Sequence, residues 1–302
     1  MLRKKSFKKI IITTFVFFVA LTLYIIPSKK NYSFVPNINY FKTRDISVYL
    51  LNDYNQLTKY DFKINEMSLD STINSIIDKL TISNDVTIPS NFKQVIPYDV
   101  TVKKIYLDEG IINIEFSDNF LDIKDNKIKS VVESIAYSLF ELDKINGVSI
   151  YVKDKNISNY YDVPSLITRD YGINKRSNLK DFNDVSKVVI YYLDKDNDYY
   201  VPITRYMNDD RDKIKIIIDE LSSNYVYESN LVSLLDRNVK LLNYEIKNDS
   251  MILDFNNSIF IDKDNLLEEV IYSISYSVFA NYDVSSVIFK VNGIEYARES
   301  LY

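Results

Sequence analysis

The segment SIAYSLF at residues 134–140 returns as SISYSVF at residues 273–279, and this internal repeat limits what the chain can become more than any other feature. The offset, 273 minus 134, is 139 residues. It also carries IEFS at 114–117 onto LDFN at 253–256, and Val148 onto Val287. Upstream it grows to 141, where IIDKL at 76–80 meets IIDEL at 217–221, and to 142, where VYLL at 48–51 meets IYYL at 190–193. Small changes in loop length account for the drift. A unit of this size is one ordinary domain and exceeds the roughly 20–50 residues of a solenoid repeat. The chain therefore reads as two tandem domains, 45–153 and 187–297, with 154–186 between them as a linker or interdomain wrap.

Each copy shows the same order of periodicities. Ile46, Val48 and Leu50 alternate with other residues, as do Val188, Ile190 and Tyr192, so each copy opens with a strand. A helix follows, with Leu69, Ile73, Ile76, Ile77 and Leu80 on one face and Ile214, Ile217, Ile218 and Leu221 repeating most of it. A hairpin strand comes next, alternating at Ile112, Ile114 and Phe116 and again at Met251, Leu253 and Phe255, after the turn residues DEG and ND. The second helix carries Ile128, Val131, Val132, Ile135, Ala136, Leu139 and Phe140, matched by Leu267, Val270, Ile271, Ile274, Ser275, Val278 and Phe279. A last strand, 148–152 and 287–291, completes a β-α-β-β-α-β order. That order predicts an α+β fold, two helices on a small mixed sheet of about four strands, built twice.

Tyr137 and Tyr276 are equivalent and lie off the apolar stripe of the second helix. At about 100° per residue, Tyr137 falls roughly 150° from the centre of that stripe, which puts both rings on the outer face. Such a position is either exposed or linker-covered, or it docks a neighbouring protein. Tyr supplies large contact area at low entropic cost, so both are candidate interaction residues.

The first 30 residues belong to neither domain. Arg3, Lys4, Lys5, Lys8 and Lys9 precede an uncharged run from Ile10 to Ile26, whose 17 residues sit at the short end of the range for a membrane-spanning helix. The following YIIPSKKN offers no small-residue cleavage pattern, so an uncleaved signal anchor is expected rather than a secretory signal. The basic flank orients a single-pass protein of the cell membrane with its N-terminus cytoplasmic and its domains extracytoplasmic. Removing the +5 of the first 26 residues from the chain's −5 leaves −10 on the exported part. Nucleic acid is a poor partner for so acidic a surface.

Catalytic chemistry finds few residues to use. With no His and no Cys, the chain lacks imidazole bases, the usual nucleophile pairs, disulfides and nearly all zinc sites. The four Gly, at 110, 147, 172 and 293, make no phosphate-cradling loop. The best metal candidate, DKDNDYYVPITR, sets Asp194, Asp196 and Asp198 at positions one, three and five of a calcium loop. It then places Tyr199 where Gly belongs and Arg205 where a bidentate Glu belongs, so it reads as a hairpin turn. Glu115 and Asp254 are equivalent, as outward polar residues of a half-wet strand would be. No catalytic residue, metal or cofactor is assigned and no enzyme activity is expected. Two other classes stay open: an extracytoplasmic ligand- or cell-wall-binding module, and a wall hydrolase built on paired carboxylates.

The strand GIINIEFSDNF, the helix end AYSLFELDKINGVSIYV, and their echoes SMILDFNNSI and SYSVFANYDVSSVIFKVNG resemble the GerM domain of sporulation and spore-germination proteins. The resemblance covers both copies. The family pattern usually has Gly-Pro after the first helix, where this chain has LTISND and LSSNYV, and some relatives are lipoproteins whereas this chain has no Cys to lipidate. The resemblance implies a scaffold that helps assemble the envelope complex between mother cell and forespore. It also implies domains similar to ring-building modules, with other envelope and sporulation proteins as partners. The family brings no catalytic residues.

Overall fold

In the computed structural model the described residues are 4–25, 43–65, 68–143, 145–177, 185–196, 199–223, 229–262 and 265–301. They divide between two units, residues 1–42 and 43–302. The first contains α1 (Lys4–Ile25), with Ile11, Ile12, Phe15, Val16, Phe17 and Phe18 all exposed. The expected anchor runs on to Ile26, outside the described residues. Among the described residues no helix is long and apolar enough to cross a membrane.

The second unit holds both repeats. The first contains β1 (Thr43–Asn52), β2 (Leu57–Asn65), α2 (Leu69–Leu80), β3 (Phe92–Lys93), β4 (Val102–Asp108), β5 (Ile111–Phe116), α3 (Asp125–Leu139) and β6 (Gly147–Val152). The short strands β7 (Lys155–Asn156), β8 (Ile167–Thr168) and β9 (Arg176–Ser177) lie between the repeats. The second repeat restates the order with β10 (Val185–Asp194), β11 (Tyr200–Asn208), α4 (Lys213–Ser222), β12 (Leu231–Val232), β13 (Leu241–Lys247), β14 (Ser250–Phe255), α5 (Glu268–Asn281) and β15 (Ser286–Val291). It adds β16 (Ile294–Ser300).

The tandem α+β pair is present, and its strands divide between two small sheets per repeat. β5 and β6 are parallel, with α3 as their crossover, and β4 joins β5 antiparallel through a turn whose Glu109 and Gly110 both have positive φ. β14, α5, β15 and β13 repeat this arrangement. The opening strand, expected in the same sheet, instead pairs with β2 and β3 in a sheet of its own, and β10 does the same with β11 and β12. The hairpin strands β2 and β11 were not expected, although Tyr60, Phe62 and Ile64 of β2 alternate with Asp61 and Lys63.

This second sheet explains the repeated heptapeptide. Tyr49 turns its backbone N–H and C=O away from β2, toward an edge that β3 reaches only at Leu51 and Asn52. That edge is buried under α3, so its polar groups need partners. Ser138 Oγ accepts from Tyr49 N at 2.8 Å and Ser134 Oγ donates to Tyr49 O at 2.6 Å. In the second repeat Ser277 Oγ accepts from Tyr191 N at 2.9 Å, while Asn281 takes both backbone groups of Val189. The serines are clips between helix and strand edge.

Phe140 is fully in the core, as the apolar stripe predicts, whereas Phe279 is only half-buried against it. Phe140→Ala is therefore expected to cost about 3–5 kcal/mol and Phe279→Ala clearly less, read from chemical denaturation. Ser138→Ala strands the buried amide of Tyr49 and is expected to cost about 1–3 kcal/mol. An unchanged denaturation midpoint for Ser138→Ala would remove the clip from the account.

Candidate interaction site at the junction of the repeats

The two repeats meet through equivalent residues. Tyr49 and Tyr191 are each the seventh residue of the opening strand, and their hydroxyls face each other at 3.4 Å. Asn91 and Asn230 each precede the short third strand, while Gln56 and Tyr199 each precede the second. Asn91 Nδ2 donates to Tyr199 Oη at 2.8 Å, and Asn230 Nδ2 donates to Gln56 Oε1 at 2.6 Å. The same contact is thus made twice with the partners exchanged, which is the signature of a twofold relation.

At the axis, Tyr49 Oη donates to Glu141 Oε1 at 3.0 Å and Lys59 Nζ pairs with Glu141 Oε2 at 2.9 Å. A carboxylate only accepts, so the Tyr49 proton lies toward Glu141 and Tyr191 faces the Tyr49 oxygen as donor. Burial, then the Glu141 charge, push the Tyr49 hydroxyl well above its ordinary range, and burial raises Tyr191 as well. Both remain neutral donors.

The segment from Ile167 to Ser177 binds the junction together. Ile167 and Ile173 are buried, so this stretch contributes core rather than a free linker. Gly172, at φ +81°, lets it run against β11, where a Cβ would meet Thr204 Cγ2 at 2.9 Å. The Asn174 side chain accepts from Leu57 N and donates to Leu57 O and to Pro202 O, each at 2.8 Å, tying β2 to β11. Asn174 N donates to Glu133 Oε2 at 3.1 Å, and Lys175 Nζ lies 3.6 Å from Glu133 Oε1. Burial raises the Glu133 carboxyl, against the opposing pull of Lys175 and the Asn174 amide, and burial lowers Lys175.

The two sequence candidates flank this junction in different states. Tyr137 is only 8% exposed: of the positions expected for it, it takes the linker-covered one rather than an exposed outer face. Its ring meets Tyr49 edge-on at 5.8 Å and its hydroxyl donates to Arg169 O at 3.0 Å. The helical count measured its angle from one sheet, but α3 is enclosed by the second sheet and the 167–177 segment as well. Tyr276 is half-buried against Tyr191, Tyr200 and Tyr272, at centroid distances of 5.7, 5.2 and 5.8 Å. Sequence reasoning missed Tyr49, Tyr191, Glu133 and Asn174. The equivalence of Tyr49 and Tyr191 in the 142-residue offset was the available signal for the first two.

The other candidates have structural employment. Asp194 spends its carboxylate on the amides of Asp196 and Tyr199, at 3.2 and 2.9 Å, while Asp198 lies outside the described residues. Asp254 Oδ1 accepts from Gly293 N at 2.9 Å, and Glu115 is half-buried on the equivalent strand. Among the described residues no three His, Cys, Asp or Glu side chains gather as a metal site. A shallow cleft of 670 Å³ after α2 is lined in part by Asp78, Ser83, Asp85 and Tyr98.

A family model described as "Germane: Sporulation and spore germination" matches residues 47–158 and 189–297. The chain is 29% identical over 219 residues to the spore germination protein GerM of Bacillus subtilis (strain 168), a match covering 68% of this chain. It spans 60% of the length of that curated relative. The solved tandem GerMN domains of the sporulation protein GerM from Bacillus subtilis superpose with a TM-score of 0.76 at 26% identity, covering 84% of this chain and 92% of that one.

Glu133 generates a prediction with a definite sign. A carboxyl raised in the folded state favours folding fully below its ordinary value of 4.5, and that contribution is lost as pH rises through the raised value. Glu133→Gln keeps an acceptor for Asn174 N and removes the buried charge, so stability at pH 7 should be equal or higher and its decline above pH 4.5 smaller. Glu133→Ala should cost about 1–3 kcal/mol through the stranded amide. Denaturant midpoints across pH 4–8 decide it.

Proposed function

The chain belongs to the Germane family of sporulation and spore-germination domains, and on that premise we propose that it is a non-catalytic, membrane-anchored assembly protein of the sporulating cell envelope. In this reading the tandem domains stand outside the membrane and join other envelope proteins into a complex between mother cell and forespore. The observation that carries the proposal is the fusion of two such domains through an isologous, hydrogen-bonded junction, which packs them as one compact unit with duplicated surfaces. Support for the anchor comes from the exposed apolar side chains of α1 and the lysines and arginine before them. Residues 1–42 carry eight Lys or Arg and no Asp or Glu, so the chain's −5 leaves −13 on residues 43–302. Such a domain pair is held off an anionic bilayer and suits basic protein partners.

Three measurements test this. Intact mass of the membrane fraction should show residues 1–26 retained, and a mature N-terminus beyond Pro27 would sink the anchor. Crosslinking in sporulating cells should recover a fixed set of envelope proteins. Turnover of cell-wall fragments by the purified chain would overturn the non-catalytic part.

A further inference from the structure

The twofold relation means that each groove between the repeats occurs twice. One copy is filled. The segment from Ile167 to Ser177 lies between α3 and β11, where β8 first pairs with β6. Arg169 O then receives the Tyr137 hydroxyl, Ile173 O receives Thr204 N at 3.0 Å, and β9 runs parallel to β11 at Arg205 and Tyr206. This stretch brings Arg169 over the Phe140 ring and Lys175 beside Glu133, while Arg176 is exposed.

The second copy lies between α5 and β2. β16 pairs with β15 through Glu299 and Val287, as β8 pairs with β6 through Ile167 and Val148, so the chain reaches the same point. Among the described residues, however, no strand pairs with the outer edge of β2. Lys59 sits opposite Tyr49, whose backbone groups point away from β2, so Lys59, Asp61 and Lys63 present their own N–H and C=O outward. Leu57, on the same side, has both groups taken by Asn174. Tyr276 holds the place of Tyr137, and among the described residues its hydroxyl makes no hydrogen bond. Lys59, then Glu299 and Asp61, lie close enough to Tyr276 to act on its hydroxyl electrostatically, with the Lys59 ammonium already paired to Glu141, and Glu269 and Glu268 do the same at Tyr200.

We propose that the groove between β2 and α5 binds an extended basic segment of a partner polypeptide, which adds to β2 as a parallel strand. A backbone carbonyl of the segment accepts from Asp61 N, as Ile173 O does from Thr204 N in the filled groove, and a second receives the Tyr276 hydroxyl. Its Arg or Lys meets the rim of Asp61, Glu268, Glu269 and Glu299. This is strand addition to a free edge, with backbone hydrogen bonds giving affinity and charge giving selectivity. The inference deepens the assembly reading and rests on it.

The probe is a labelled peptide with the sequence of residues 167–177, ITRDYGINKRS, titrated against the full chain in detergent by fluorescence anisotropy. Saturable binding is expected, weakened about tenfold or more by Tyr276→Ala, by Asp61→Pro and by exchanging the peptide's Arg and Lys for Glu. Proline at position 61 removes an outward N–H and leaves the β1–β2 ladder intact. Glu299→Lys, at a half-buried position of β16, should weaken binding as well and reads the groove independently where Tyr276→Ala or Asp61→Pro does not fold. Glu133→Ala, in the filled groove, should leave binding unchanged. No binding at about 1 mM peptide overturns the proposal, as does binding lost with Glu133→Ala but kept with Tyr276→Ala and Glu299→Lys. Either failure leaves the anchor and the crosslinked complex standing, since those are measured in cells.

Discussion

Buried backbone with no strand beside it sets the terms for everything else in the folded unit. β1 and β10 each have one neighbour along most of their length, and their second edges lie under a helix, out of reach of water. Each unpaired amide or carbonyl there costs about 1–3 kcal/mol, so the helix must supply partners from side chains. Ser134 and Ser138 do so in one repeat, and Ser277 and Asn281 in the other. Their short side chains also let the helix approach closely, which brings Tyr137 against Tyr49 and Tyr276 against Tyr191. The aromatic junction follows from the clips.

From that junction comes the relation between the repeats. Tyr49 and Tyr191 meet hydroxyl to hydroxyl because they are the same residue in two copies packed face to face, and the Asn91 and Asn230 contacts extend the symmetry outward. The symmetry is then broken by connection. The segment leaving the first repeat crosses to β11 and fills one groove, with Glu133 and Asn174 as its fixing points. The corresponding surface beside β2 carries different side chains, with Tyr272 where the first repeat has Glu133. A duplicated fold thereby presents one sealed and one accessible version of the same surface.

The cores diverged too. Arg205 is buried and pairs with Glu220 at 3.2 Å, with the Tyr192 hydroxyl on the same carboxylate. The first repeat has Phe62 and Lys79 in those places, with the ammonium 5.0 Å from the ring centre. Neither arrangement is required by the fold, since a buried ion pair is weak evidence for stability and an apolar or cation–π replacement serves the same volume.

The sequence by itself determined the duplication, the order of the main elements, the apolar faces of both helices and the family. All of these are periodic or local properties, and burial on one face writes them into the residue order. It did not reveal the second sheet of each repeat: the alternation of Tyr60, Phe62 and Ile64 marks β2 as a strand, but nothing local says that it pairs with β1 apart from the sheet of β5 and β6. It showed that Tyr137 and Tyr276 are equivalent but could not say that one is sealed and the other accessible, since a helical angle is measured against a single neighbour. The role of the repeated serines was equally hidden: a serine in a helix carries no sign of which distant strand edge it completes. Only tertiary structure decides such matters, because they depend on which unpaired backbone groups the fold brings beneath which side chains.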